Sequence, residues 1–121
     1  MSIISSTSPS PATTTNAYVT VPGSTMSTIA GGYASVSFIV KNTHASASLK
    51  YRVIACNESI SAGADIDIAV QGYAIVQDEA TLANGVSGVF AGDSSPFRYY
   101  AVQVTDGSGH ATVTVNGLVK D

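Results

Sequence analysis

Ala34-Ser-Val-Ser-Phe-Ile-Val40 and Leu49-Lys-Tyr-Arg-Val-Ile-Ala55, separated by Asn42-Thr-His-Ala-Ser-Ala-Ser48, decide the fold class of this chain. In the first run Val36, Phe38 and Val40 fall on one side, with Ser35 and Ser37 on the other. In the second, Tyr51, Val53 and Ala55 alternate with Lys50 and Arg52. A period of two is that of a strand with one core face and one wetter face. With the polar segment between them, the two runs read as an antiparallel hairpin.

The pattern continues on both sides. Upstream, residues 17–21 (Ala-Tyr-Val-Thr-Val) read as a first strand, stopped by the turn pair Pro22-Gly23. Downstream, Ile66, Ile68 and Val70 alternate with Asp65, Asp67 and Ala69, and Gly72 interrupts the run as a bulge or a close backbone approach would. Residues 73–77 then restart the strand. Residues 78–83 have the composition of a single helical turn, but Asn84-Gly85 and the small residues up to Pro96 read as a long connection. Residues 97–105 form a strong strand with Tyr100, Val102 and Val104 on one face. After Asp106-Gly-Ser-Gly109, Val113 and Val115 alternate with Thr112 and Thr114 in a return strand, giving a second hairpin. Phe38, Val53, Val102 and Val113 are the expected core residues of facing strands.

Six or seven short strands without helical periodicity predict an all-β protein: a single antiparallel β-sandwich, jelly-roll or Ig-like, over residues 17–121. Residues 1–16 are rich in Ser, Thr and Pro and read as an extended, flexible N-terminal arm. Ile3 and Ile4 give that arm two apolar anchors, and Pro9 and Pro11 keep it extended. These four residues, with Tyr99 on the outward face opposite Tyr100, are the candidate contacts to a neighbouring protein subunit.

Composition narrows the function. Of 121 residues, 45% are hydrophobic and only 11% charged, so the surface is largely Ser, Thr, Gly, Asn and small apolar side chains, suited to contact with other protein and to homo-oligomers. Five Lys and Arg in a chain of net charge −3 make no basic stripe, so nucleic acid is not an expected partner. A single cysteine, Cys56, rules out an intrachain disulfide or a multi-cysteine zinc site. No apolar run approaches membrane-spanning length, and the opening lacks a secretion-signal pattern. The expectation is a chain made in the cytoplasm with no membrane partner.

No catalytic constellation stands out. Asp65 and Asp67 share one face if their run is a strand, but no loop has dedicated calcium-site spacing. His44 and His110 lie in separate turns, and no Gly-x-Ser-x-Gly elbow accompanies the many serines. Asn57-Glu-Ser59 matches a glycosylation acceptor, a chance match in a chain without a secretion signal. Tyr18, Tyr33, Tyr73 and Tyr99 are candidates for stacking on sugars, though sandwich cores use Tyr routinely. The reading is of a non-enzyme with no cofactor and no metal.

The order of several words resembles a group of small β-sandwich virion proteins of tailed bacteriophages, of the capsid decoration or head–tail accessory type. They are Val36-Ser-Phe-Ile-Val-Lys-Asn-Thr43, Leu49-Lys-Tyr-Arg-Val53, Asp78-Glu-Ala-Thr-Leu-Ala-Asn-Gly85, Pro96-Phe-Arg-Tyr-Tyr-Ala-Val-Gln-Val104 and Ala111-Thr-Val-Thr-Val115. This resemblance implies a structural role in a virion, with the major capsid protein or other virion proteins as partners. It brings no catalytic residues. The function expected is capsid decoration or cementing. The alternatives are a tail or baseplate component and a carbohydrate-binding β-sandwich module.

Overall fold

The computed structural model describes residues 3–7, 12–13, 17–28, 35–61, 63–92, 97–106 and 111–120, the first two segments as backbone only. They form ten strands: β1 (Ile3–Thr7), β2 (Ala12–Thr13), β3 (Val19–Thr20), β4 (Met26–Ser27), β5 (Ser35–Asn42), β6 (Leu49–Cys56), β7 (Ala74–Leu82), β8 (Ser87–Gly92), β9 (Tyr99–Thr105) and β10 (Thr112–Lys120). There is no helix among the described residues. One sheet has the order β1-β10-β5-β8, with β2 also on β10; the other has the order β3-β9-β6-β7, with β4 also on β9. All pairings are antiparallel.

Because β5 occupies one side of β10, β1 and β2 share the other, as two segments along one edge. β3 and β4 do the same on β9. Counted in this way the molecule is an eight-stranded jelly roll, a sandwich whose chain passes repeatedly from one sheet to the other.

That passage corrects both expected hairpins. β5 and β6 lie in different sheets, as do β9 and β10. Alternation tells which face of a strand is apolar. It does not tell whether two apolar rows lie side by side in one sheet or face each other across about 10 Å of core. Residues 43–48 make an arch between sheets rather than a hairpin turn. The buried Asn42 holds it: its side-chain Nδ2 donates to the carbonyls of Ala47 (2.8 Å) and Leu82 (3.1 Å), and its Oδ1 accepts from His44 N (3.0 Å). His44 Nδ1 accepts from the amides of Ser46 and Ala47, so this histidine shapes the loop.

The main core lies between the sheets, and Phe38, Val53, Val102 and Val113 are all fully buried in it. A smaller apolar cluster lies on the far side of the β3-β9-β6-β7 sheet. There Ile54 and Cys56 of β6 and Tyr99 and Ala101 of β9 are covered by Ile66, with Ile60 and Ile68 packed against them. The connection between β6 and β7 thus folds back over part of that outer face.

Within it, the expected strand through Ile66, Ile68 and Val70 is a loop ending in a turn. Asp67 Oδ1 accepts from Ala69 N, and the Asp67 carbonyl accepts from Val70 N and Gln71 N. Gly72 lies outside any strand, its amide bonded to Glu58 Oε2. The irregularity in this region falls instead in the β6–β7 ladder, around Val53.

Two further expectations change. Residues 78–82 belong to β7, and residues 87–92, read as part of a connection, form β8. Both are edge strands, exposed on one side and without a full apolar row. The Asn84-Gly85 pair between them does turn the chain, with Gly85 at φ 75°. The opening segment differs too. It was expected to lie outside the folded domain, yet Ile3 pairs with Lys120, Thr7 with Gly117 and Ala12 with Val113. An edge strand needs no strict alternation and tolerates breaks, which is how Thr-rich sequence flanking prolines is accommodated there. Pro9 and Pro11 lie outside the described residues.

Candidate interaction surface

The outer face of the β1-β10-β5-β8 sheet is built from the polar rows of three adjacent strands. Strand register sets them in lines: Leu118, Ser37 and Ala91; Asn116, Ile39 and Val89; Thr114, Lys41 and Ser87. Ile39 and Val89 are directly paired and 49% and 61% exposed, a contiguous apolar centre bordered mostly by short uncharged side chains, with Lys41 in the next line. Among the described residues on these three strands, Lys41 and Lys120 are the only charges. Such a face loses little on desolvation and few side-chain rotamers on contact, the properties of an interface core.

The opposite outer face is different. Beside the patch covered by residues 57–73, Tyr18 Oη donates to Glu79 Oε2 at 2.6 Å, and Lys50 Nζ lies 3.7 Å from Glu79 Oε1. The Arg52 guanidinium sits 4.0 Å from the centre of the Tyr18 ring and 5.9 Å from that of Tyr73, while its Nε donates to Gln103 Oε1 at 2.8 Å. The Tyr18 hydrogen bond, then the Lys50 charge, holds Glu79 below the usual glutamate range. Burial, then Glu79, pushes the Tyr18 hydroxyl above the usual tyrosine value.

This network satisfies its own groups. Lys50 and Arg52, on the wetter face of their run, lie on an interior strand and are engaged within the chain. Because Glu79 has a lower folded than unfolded pKa, any stability from the contact is present above the unfolded value and lost as pH falls through the folded one. In Tyr18→Phe, Glu79 is expected to titrate closer to an ordinary glutamate, as read from its carboxyl carbon by NMR. An unchanged titration would assign the shift to Lys50 alone.

The other candidate residues serve the scaffold. Asp65 does not face Asp67 across a strand; its carboxylate accepts from Gly23 N, Thr25 N and Thr25 Oγ1, tying the 57–73 connection to the turn before β4. It borders a cavity of about 450 Å³ between that connection and Ser27 and Tyr99, with both its oxygens already engaged by those donors. No group of three or more His, Cys, Asp or Glu among the described residues is placed to hold a metal. Asn57 Oδ1 accepts from Arg98 N, and Arg98 Nη1 reaches Ser59 Oγ, so the Asn57-Glu-Ser59 triplet anchors the start of β9. Cys56 is buried, and burial raises its thiol pKa.

Tyr99 points away from the main core, opposite Tyr100, as its position in the strand predicts. It is nevertheless only 9% exposed, because residues 57–73 cover it, so it offers no open contact. Of the tyrosines considered for sugar stacking, Tyr18 carries Arg52 on its ring and Tyr73 is 41% exposed, while Tyr33 and His110 lie outside the described residues. Ile3 and Ile4 are in β1, on the edge of β10. Sequence reading did not single out Ile39 or Val89. Ile39 was readable as the one large apolar residue at an outward position of β5; Val89 was not, because β8 was read as loop.

No family model and no curated protein sequence matches the chain. Among solved structures, a chain from Bacillus endospore appendages, described as a novel family of disulfide-linked pili, is similar over 97% of this chain and 84% of its own, with a TM-score of 0.52 and 13% sequence identity. At that identity the likeness shows the all-β sandwich fold alone.

Proposed function

We propose that this chain is a non-enzymatic structural subunit that adheres to a larger protein lattice, with decoration or cementing of a tailed-phage capsid as its setting. The observation that supports this reading is the nearly uncharged outer face centred on Ile39 and Val89. Many copies binding one lattice gain avidity from contacts that are individually weak, and a rigid sandwich with such a face needs no chemistry to do so. Ile39→Asp is expected to leave the fold intact, since the side chain is half exposed, and to weaken attachment to particles lacking the protein by on the order of tenfold or more. Retained attachment would move the adhesive surface elsewhere. Quantitative mass spectrometry of purified particles tests the setting: a copy number near that of the capsid protein supports decoration, and a few copies support a tail or baseplate part.

A second reading, a subunit of a pilus-like filament, is favoured by the structural likeness to the spore-appendage chain. A disulfide link through Cys56 would require its buried thiol to become accessible. Electron microscopy of the purified chain separates the two readings, because filaments formed by the chain alone support the second.

A further inference from the structure

We infer that β8 is a self-pairing edge, joining two copies of this chain through an antiparallel β8–β8 contact that makes one continuous sheet across the dimer. The sandwich has four sheet edges, and three are guarded. β7 carries Asp78 and Glu79 and an irregular ladder to β6. The β3/β4 edge is interrupted by residues 21–25, including Pro22, and the ladder of β1 to β10 is irregular between Ile3 and Ser5. Charges, prolines, bulges and short strands are the devices that stop an edge from pairing with another chain. β8, Ser87-Gly-Val-Phe-Ala-Gly92, has none of them: its register with β5 is unbroken from Val36–Gly92 to Lys41–Ser87, and its other side has no strand partner among the described residues.

The occupant follows from the side chains. In an antiparallel pair, residues directly opposite share a face, so a two-fold axis at Val89 sets Val89 against Val89, Ser87 against Ala91 and Gly88 against Phe90. Phe90 is half-buried at the rim of its own core. In this register it meets the second copy's Gly88, which has no side chain to displace it. On the outer face the Ile39–Val89 patches of the two copies merge into one. Among the described residues the charge nearest the edge, Lys41, opposite Ser87, would lie roughly 20 Å from its counterpart, beyond the screening length at physiological salt. Edge pairing of this kind holds for a free dimer whichever lattice the subunit joins, so it goes beyond the reading above.

Sedimentation velocity of the purified chain and cross-linking of cysteine variants in a Cys56→Ala background test the contact. A concentration-dependent dimer is expected, with Val89→Lys raising its dissociation constant at least tenfold. Val89 is largely exposed, so that variant should keep the parent melting temperature. Under mild oxidation by a diazene such as diamide, Val89→Cys should link to itself. Ser87→Cys and Ala91→Cys, each roughly 13 Å from its own counterpart along the strand, should link only when mixed. A wild-type chain that stays monomeric, a dimer indifferent to Val89→Lys, or self-linking of Ser87→Cys would overturn the inference. Particle binding by Ile39→Asp is read separately, so failure of the dimer and failure of the adhesive face are distinguishable.

Discussion

Replacing Phe38 with alanine is expected to remove about 3–5 kcal/mol of stability, the typical cost of emptying a fully buried aromatic site. Phe38 is 0% exposed at the middle of β5, flanked in its sheet by Gly117 and Phe90. Its ring centre is 6.4 Å from that of Phe90, which lies 6.2 Å from Tyr100 of the facing sheet, which in turn meets Phe97 edge-on at 5.9 Å. The phenyl group therefore begins an aromatic chain that joins the two sheets, and Gly117 beside it has no side chain to move into the void. Domains of this size are stable by only about 5–15 kcal/mol, so the variant would keep a modest margin at best. Urea denaturation should show a lower midpoint with an unchanged slope. A loss under about 1 kcal/mol would show that the neighbouring strands close over the gap.

The second large effect is expected at Gly88. A Cβ there would fall 2.5 Å from Tyr51 Oη and 2.7 Å from its Cε1 and Cζ. Tyr51 stands on β6 in the opposite sheet and is only 4% exposed, a rigid ring inside the core with no solvent to swing into. Gly88→Ala should cost about 1–3 kcal/mol, the usual price of overpacking, and Gly88→Val more. Shortening the intruding ring, as in Tyr51→Leu, should recover part of that loss in the double variant. Purely additive effects would show that the strain is relieved by movement of β8 rather than borne against Tyr51.

Alternation in β5, β6, β9 and β10 identified the buried rows correctly, because a central strand of a sandwich has one face against a core whatever it pairs with. The pairing itself was not readable. The serine- and alanine-rich arch at residues 43–48 is held by Asn42 and His44, residues that carry no hairpin signature. Tyr99 was placed on the correct side of β9, but its cover, Ile66 and its neighbours, comes from a loop whose period-two pattern imitates a strand. The edges were the least legible part. β7 and β8 each show many exposed positions, so their composition is set by solvent and turn geometry rather than by a core row. The adhesive face shares that difficulty, since half of its apolar centre lies on β8.

The jelly-roll order also bears on how the chain reaches its native state. Among the described pairings, the nearest in sequence joins residues 55 and 74, and β10 pairs with strands from the first half of the chain. Among the described residues no strand pairs with its neighbour through a tight turn, so each of these ladders must close a long loop before its contacts offset the lost chain entropy. Proteins with such remote pairings fold in milliseconds to seconds. During that interval the uncharged β8 segment is exposed and unpaired, making dilute, slow synthesis favourable to the native form and crowded refolding favourable to aggregates.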